Sequence, residues 1–174
     1  MKKFRFLLLD AGPIIKLFQL GLWDTFLGKC EITVSRTVMN EAKWASASFE
    51  DIHIALEPYE EKGHIQVIDL SPAEATSFFE RFNTQYKAII DPGEKETLAF
   101  LNNSNEPWKV CSTDHAVFRI LGLLGKAEQG ISLEELLNQI GLSRKLGWQY
   151  TKEFRKKNTH RGQTDSVQGH GLIK

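Results

Sequence analysis

The sequence predicts an α/β protein, a three-layer α/β/α arrangement around a central parallel sheet of four to five strands, followed by a C-terminal helical extension. Four short apolar or β-branched runs, residues 4–9, 31–34, 65–70 and 108–113, read as strands. Each is followed by a stretch of helical periodicity, and strands that alternate with helices pair in parallel through right-handed crossovers. At 174 residues, with 41% hydrophobic and 25% charged side chains, the chain is long enough to bury a substantial core and has the composition of a globular domain.

The first run, Phe4-Arg5-Phe6-Leu7-Leu8-Leu9, stops on Asp10. Pro13 fits the first turn of the helix that follows, in which Ile14, Ile15, Leu17, Phe18, Leu20, Leu22, Trp23, Phe26 and Leu27 form an apolar face, with a break at Gly21 and a stop at Gly28. Asp10 therefore lies at the carboxyl end of a strand, the edge where ligands bind in open parallel sheets. Glu31-Ile32-Thr33-Val34 makes the second strand, and Ser35-Arg36-Thr37 supplies hydroxyls to cap a helix over about 37–47, on which Val38 and Glu41 share a face. A further helix is predicted over about 49–62, interrupted near Pro58 and ended by Gly63.

The third strand, residues 65–70, leads through Ser71-Pro72 and Glu74 into a helix carrying Phe78, Phe79, Phe82 and Tyr86. Asp91-Pro92-Gly93-Glu94 is a strong helix start, with Asp91 at the cap and Pro92 at the first helical position. The fourth strand ends at Asp114 and feeds a helix from His115 to Leu124, closed by Gly125. From Ile131 the pattern is helical only: Ser132 caps one helix, and a basic helix is predicted from Leu142 or Arg144 to Lys157. Residues 160–174, rich in Gly, Gln, Ser and Thr and without periodicity, read as a flexible tail.

Charge and cysteine content narrow the classes. Basic and acidic residues both number 22, so net charge neither favours nor excludes a nucleic-acid partner. Its distribution is uneven: residues 51–80 hold seven acids against Lys62 alone, whereas in 144–161 Arg144, Lys145, Lys152, Arg155, Lys156, Lys157 and Arg161 face only Glu153, a field able to steer a polyanion. Cys30 and Cys111 lack the spacing of a zinc or redox motif, which predicts a reduced protein of the cytoplasm. Met1-Lys2-Lys3-Phe4 resembles the head of a signal peptide, but Asp10, Pro13 and Lys16 interrupt the apolar stretch, and no run is long enough to span a bilayer.

Four acids fall at comparable points: Asp10 after the first strand, Glu41 on the helix after the second, Glu94 or Glu96 at the start of another helix, and Asp114 after the fourth strand. If the strands lie side by side, these positions converge on one crevice. Carboxylates packed together raise one another's pKa unless a cation sits among them, and a hard divalent ion, Mg²⁺ or Mn²⁺, is the natural occupant. Each acid also has a local role open to it, since Asp10 and Asp114 precede helices as caps and Glu94 stands at capping-box spacing from Asp91. Glu94 and Glu96 point to nearly opposite sides of a regular helix. Glu94 shares its stripe with Leu98 and Leu101 and is taken as the inward ligand, with Glu96 secondary, acting through water or in its place.

The segments Leu8-Leu9-Asp10-Ala11-Gly12-Pro13, Val34-Ser35-Arg36-Thr37-Val38-Met39-Asn40-Glu41, Asp91-Pro92-Gly93-Glu94-Lys95-Glu96-Thr97-Leu98-Ala99 and Ser112-Thr113-Asp114, in this order, resemble the PIN domain, a fold shared by many small nucleases and by toxin ribonucleases of toxin–antitoxin pairs. The Gly-Glu-x-Glu form of the third segment is similar to a predicted nucleic-acid-binding branch of that family. The resemblance covers about residues 6–124 and implies a PIN-like nuclease domain over 1–128, with a helical, basic extension over 129–174. It implies a metal-dependent endoribonuclease in which Asp10, Glu41, Glu94 and Asp114 hold one or two Mg²⁺ or Mn²⁺ ions, with Thr113 or Ser112 positioning water or phosphate. RNA is the implied substrate, and an antitoxin protein and a second copy of the chain are the candidate partners. His115 and Arg119 stand where the family carries a further polar or acidic group.

A haloacid-dehalogenase type of phosphatase also begins with an aspartate after an apolar strand, but needs a second aspartate two residues on, where this chain has Gly12. The remaining alternative is a PIN-fold RNA-binding or complex-assembly module that hydrolyses nothing. Of the four tryptophans, Trp23 and Trp108 fall on core patterns. Trp148, with Tyr150, lies in the basic stretch, where aromatic rings can stack on bases.

Overall fold

The computed structural model describes residues 3–47 and 50–173. Met1 and Lys2 of the basic start, Phe49 at the head of the expected 49–62 helix, and Lys174 at the end of the tail lie outside the described residues. The chain runs β1 (Phe4–Leu9), α1 (Ala11–Gln19), α2 (Trp23–Lys29), β2 (Cys30–Val34), α3 (Arg36–Glu41), β3 (Trp44–Ala47), β4 (Glu50–His53), α4 (Glu57–Glu61), β5 (Ile65–Val67), α5 (Pro72–Glu80), α6 (Thr84–Lys87), α7 (Pro92–Asn103), β6 (Lys109–Cys111), α8 (His115–Leu123), β7 (Gly130–Ile131), α9 (Leu133–Gln139) and α10 (Lys152–Val167).

Five strands form one sheet in the order β5-β2-β1-β6-β7, and every pairing in it is parallel. Helices cover both faces, as expected of a three-layer α/β/α fold. Successive residues of a strand point to opposite faces, so Leu7 and Leu9 pack with Ile14, Leu17, Trp23 and Phe26 on one side, while Leu8 packs with Phe78, Phe82, Tyr86, Leu98 and Phe118 on the other. Burial on both faces is why β1 reads as a continuous apolar run. Its one irregularity is Phe6, at φ 56, where the register to β2 shifts between Phe4 and Leu7 and the ring meets Trp108 edge-on at 5.4 Å. Among the described residues, no helix is long and apolar enough to cross a membrane.

Three expectations need correction. The helix after β2 ends at Glu41 rather than near residue 47, and most of the span expected as a 49–62 helix belongs to an antiparallel β3–β4 hairpin and the short α4. Helix propensity, even that of alanine, is a weak local bias that tertiary context overrides, and here the pairing of Trp44 with His53, whose rings lie 4.8 Å apart, takes precedence. The fifth strand, β7, ends on Ile131, the residue from which the pattern is expected to be helical only; two residues are too few to carry a periodicity.

The third correction concerns the C-terminus. The basic helix begins at Lys152, where the Thr151 side chain accepts the Phe154 N–H, and runs on to Val167 through the stretch expected to be a flexible tail. It is held by close backbone approach rather than by an apolar face. A Cβ on Gly162 would stand 1.8 Å from the Arg119 carbonyl oxygen, and one on Gly122 would stand 2.0 Å from that of Thr159. The buried residues of α10 are Asn158, Thr159 and Gly162, none of which adds to a hydrophobic pattern. Beyond it, Phe82 and Leu172 form an isolated bridge.

Candidate metal centre

The ends of β1 and β6 set the first two acids. Asp10 continues the ladder by donating its N–H to the Cys111 carbonyl at 3.1 Å and then caps α1, its Oδ1 accepting the Ala11 N–H at 2.8 Å. Asp114 caps α8, accepting the Ala116 N–H at 2.7 Å. Both local roles read from the sequence are therefore filled. They leave the two carboxylates at the same edge of adjacent strands, joined through Ser112. The fully buried Ser112 hydroxyl donates to Asp10 Oδ2 at 2.6 Å and accepts the Asp114 N–H at 3.0 Å. Thr113 Oγ1 lies over Gly12, so close that a Cβ there would come within 2.2 Å of it.

The start of α7 brings the next acids. Asp91 and Glu94 form a capping box, in which Asp91 Oδ1 accepts the Glu94 N–H at 2.8 Å and Glu94 Oε2 accepts the Asp91 N–H at 3.0 Å. Glu94 is 3% exposed, and burial, reinforced by the charges of Asp114, Asp91 and Asp10, pushes its carboxyl up to about 9. Glu41, the last residue of α3, reaches the same place: its Oε2 would lie 3.2 Å from a Cβ on Gly93. The bare Gly93 thus admits the Glu41 carboxylate against the start of α7. Glu41 is raised first by burial and then by Asp91, Asp10 and Glu96. Asp10 is raised by burial above all, against the hydrogen bonds from Ser112 and Ala11.

Glu96 is committed differently. Its Oε1 accepts the Thr37 hydroxyl at 2.7 Å, which ties α7 to the first turn of α3 at the rim of the cluster. His115 Nδ1 lies 3.2 Å from Asp114 Oδ1, while Arg119 is turned away, paired with Asp165 at 2.7 Å and stacked over Tyr86.

Asp91 is the residue that sequence reasoning missed. It reads as a helix cap and is one, yet its charge also acts on Asp10, Glu41 and Glu94. The cue was its place three residues before Glu94, since a capping box sets its two carboxylates side by side. The side-chain charges that raise Asp10, Glu41 and Glu94 all belong to other carboxylates.

Oxygen donors carrying excess negative charge suit a hard divalent ion in kind. Among the described residues, no group of three or more His, Cys, Asp or Glu stands ready to hold a metal ion. Mg²⁺ commonly binds through one or two carboxylates and keeps several waters, a mode that does not require three ready protein ligands. Elsewhere, Trp148 is 54% exposed, Trp23 is buried, and Arg155 of the basic stretch is drawn inward onto Glu135 at 2.7 Å. Comparison with family models, with curated proteins and with solved structures finds no match for the chain.

Proposed function

We propose that the chain is a metal-dependent ribonuclease of the PIN type that hydrolyses phosphodiester bonds, with Mg²⁺ or Mn²⁺ held by Asp10, Glu41, Glu94 and Asp114 and with Asp91 adding to the field that attracts it. One observation carries this reading: acids from four separate segments approach one another at the carboxyl edge of the sheet, where burial first, and then the charges of Asp114, Asp91 and Asp10, push Glu94 up to about 9. Capping accounts for Asp10, Asp91, Glu94 and Asp114 one by one, but not for their sharing one edge of the sheet with Glu41.

Asp10, Glu41, Glu94 and Asp114 would hold the ion, which would supply Lewis-acid activation of a water and offset charge on the phosphate oxygens. The protein's own part is positioning. Ser112 fixes the Asp10 carboxylate and the backbone of Asp114, Gly93 leaves room for Glu41, and Thr37 holds Glu96 at the rim. Burial and the neighbouring carboxylates favour the protonated form of Glu94, and positive charge brought among these acids would favour its ionised form. An antitoxin as partner rests on the resemblance alone.

A second reading, a module that binds RNA without hydrolysis, is favoured by the lack of a ready three-ligand group among the described residues. RNA cleavage in Mn²⁺ or Mg²⁺ by wild type, Asp10→Asn and Asp114→Asn separates the two. The ribonuclease reading predicts cleavage by wild type and its loss in both folded variants; RNA bound but never cut by wild type with either metal selects the module.

A further inference from the structure

Two lysines from different elements, one of them lying between Glu94 and Glu96 in the chain, converge on one aromatic ring. Lys87, the last residue of α6, places its Nζ 5.7 Å from the centre of the Phe79 ring, and Lys95, in the first turns of α7, places its own at 5.0 Å. The two ammonium groups are therefore no farther apart than the sum of those distances. Lys87 stands four residues before Asp91 and Lys95 four residues after it, so the pair brackets the start of α7 that carries the acids.

Neither lysine takes part in an ion pair among the described residues. The carboxylates on either side of Lys95 are engaged elsewhere, Glu94 with the Asp91 N–H and Glu96 with Thr37. The ring restrains both stems, since an ammonium over an aromatic face is attracted by its quadrupole. These two restrained positive charges, without a counter-ion among the described residues, flank in sequence the acids at the start of α7. Arg155 of the basic stretch offers no such charge, because Glu135 already holds it.

We infer that Lys87 and Lys95, aligned by Phe79, bind backbone phosphates of a single-stranded RNA beside the bond that lies over the acid pocket. The inference rests on the proposed reading of that pocket as an RNA site. It adds what the pocket lacks, since a strand drawn over clustered carboxylates needs positive charge to hold its neighbouring phosphates. Lysine suits this as a point charge for phosphate, without the planar selectivity of arginine.

The test is titration of a labelled single-stranded RNA by anisotropy across a salt series, in EDTA so that no metal-dependent hydrolysis occurs. Each phosphate neutralised on a single strand contributes about 0.7 to the slope of log affinity against log salt, so Lys87→Gln with Lys95→Gln flattens the slope by about 1.4. Lys87→Arg with Lys95→Arg keeps the wild-type slope, which a purely structural role for the lysine stems does not require. Lys62→Gln, next to the amino end of β5 and so at the opposite edge of the sheet, leaves the slope unchanged. An unaltered slope in the double glutamine variant, with melting temperature equal to wild type, overturns the inference, as does a wild type that binds no RNA. Cleavage assayed in parallel with Mn²⁺ keeps the two readings apart: lysine-dependent binding without cleavage leaves this inference standing and removes the ribonuclease.

Discussion

The Ser112 hydroxyl donates to Asp10 Oδ2 at 2.6 Å, so a side chain at the end of one strand orients the carboxylate at the end of its neighbour. Through the Asp114 N–H, 3.0 Å away, the same oxygen sets the second acid as well. The geometry of two carboxylates thus depends on a residue that is itself fully buried.

Replacing Ser112 with alanine leaves Asp10 Oδ2 and the Asp114 N–H without this partner. The expected cost is about 1–3 kcal/mol in denaturant unfolding, the range for losing a hydrogen bond to a buried charged group. RNA cleavage by the variant should fall by more than its folded fraction does. Full activity in a folded Ser112→Ala protein would show that orientation of Asp10 does not matter.

Gly93→Ala tests the contact between α3 and α7. The new Cβ would stand 3.2 Å from Glu41 Oε2 and 3.4 Å from Val38 Cγ2, tight enough to displace the carboxylate without breaking the helix. Stability should change little, because alanine is the better helix former. Mn²⁺ affinity should drop by about tenfold or more, the scale seen when residues supporting metal ligands are altered. Calorimetric titration measures it, and unchanged affinity would remove Glu41 from the site.

Gly162→Ala addresses the C-terminal helix. A Cβ only 1.8 Å from the Arg119 carbonyl oxygen forces α10 away from α8, at an expected cost of at least about 1–3 kcal/mol. Thermal melting and proteolysis of α10 read the outcome. A variant as stable as wild type, with α10 still protected, would mean that the close helix crossing is not what holds this segment.

Acid should loosen the same helix. Burial raises the carboxyls of Asp165 and Glu135, but the Tyr86 hydroxyl and Arg119 on the first, and Arg155 with Ser132 on the second, outweigh it and leave both below the ordinary range. Groups with depressed folded pKa values stabilise fully above their unfolded values, about 3.9 for Asp and 4.3 for Glu, and that contribution is lost as pH falls through the lower, folded values. Unfolding free energy should therefore decline below about pH 4, and Asp165→Asn should flatten that decline. An equal decline in wild type and variant would place the acid sensitivity elsewhere.

The parts of this fold legible in the sequence are those set by local chemistry. Asp10, Ser71, Asp91, Asp114 and Ser132 announce helix starts because a cap is specified within three residues. β1, β2, β5 and β6 announce themselves through apolar runs. The hairpin of β3 and β4 was not legible, since cross-strand pairing such as Trp44 with His53 outweighs a weak helical preference. Nor was α10, whose anchors are Gly162 and the Arg119–Asp165 pair, 46 positions apart in the chain. Among the acids, the strand ends and helix starts of the sequence place Asp10 and Asp114 at strand ends and Glu94 at the start of α7, as the structure has them, with Glu41 brought against that start. Asp91 stayed hidden behind its capping role, which accounts fully for an aspartate at that position.

Titration of Mn²⁺ into wild type and into Asp10→Asn, followed by calorimetry, tests most directly whether the clustered acids take up a cation. Saturable binding by wild type, with release of a proton, and marked weakening in the folded variant are predicted. No binding by wild type, or the same affinity in both proteins, would contradict the account.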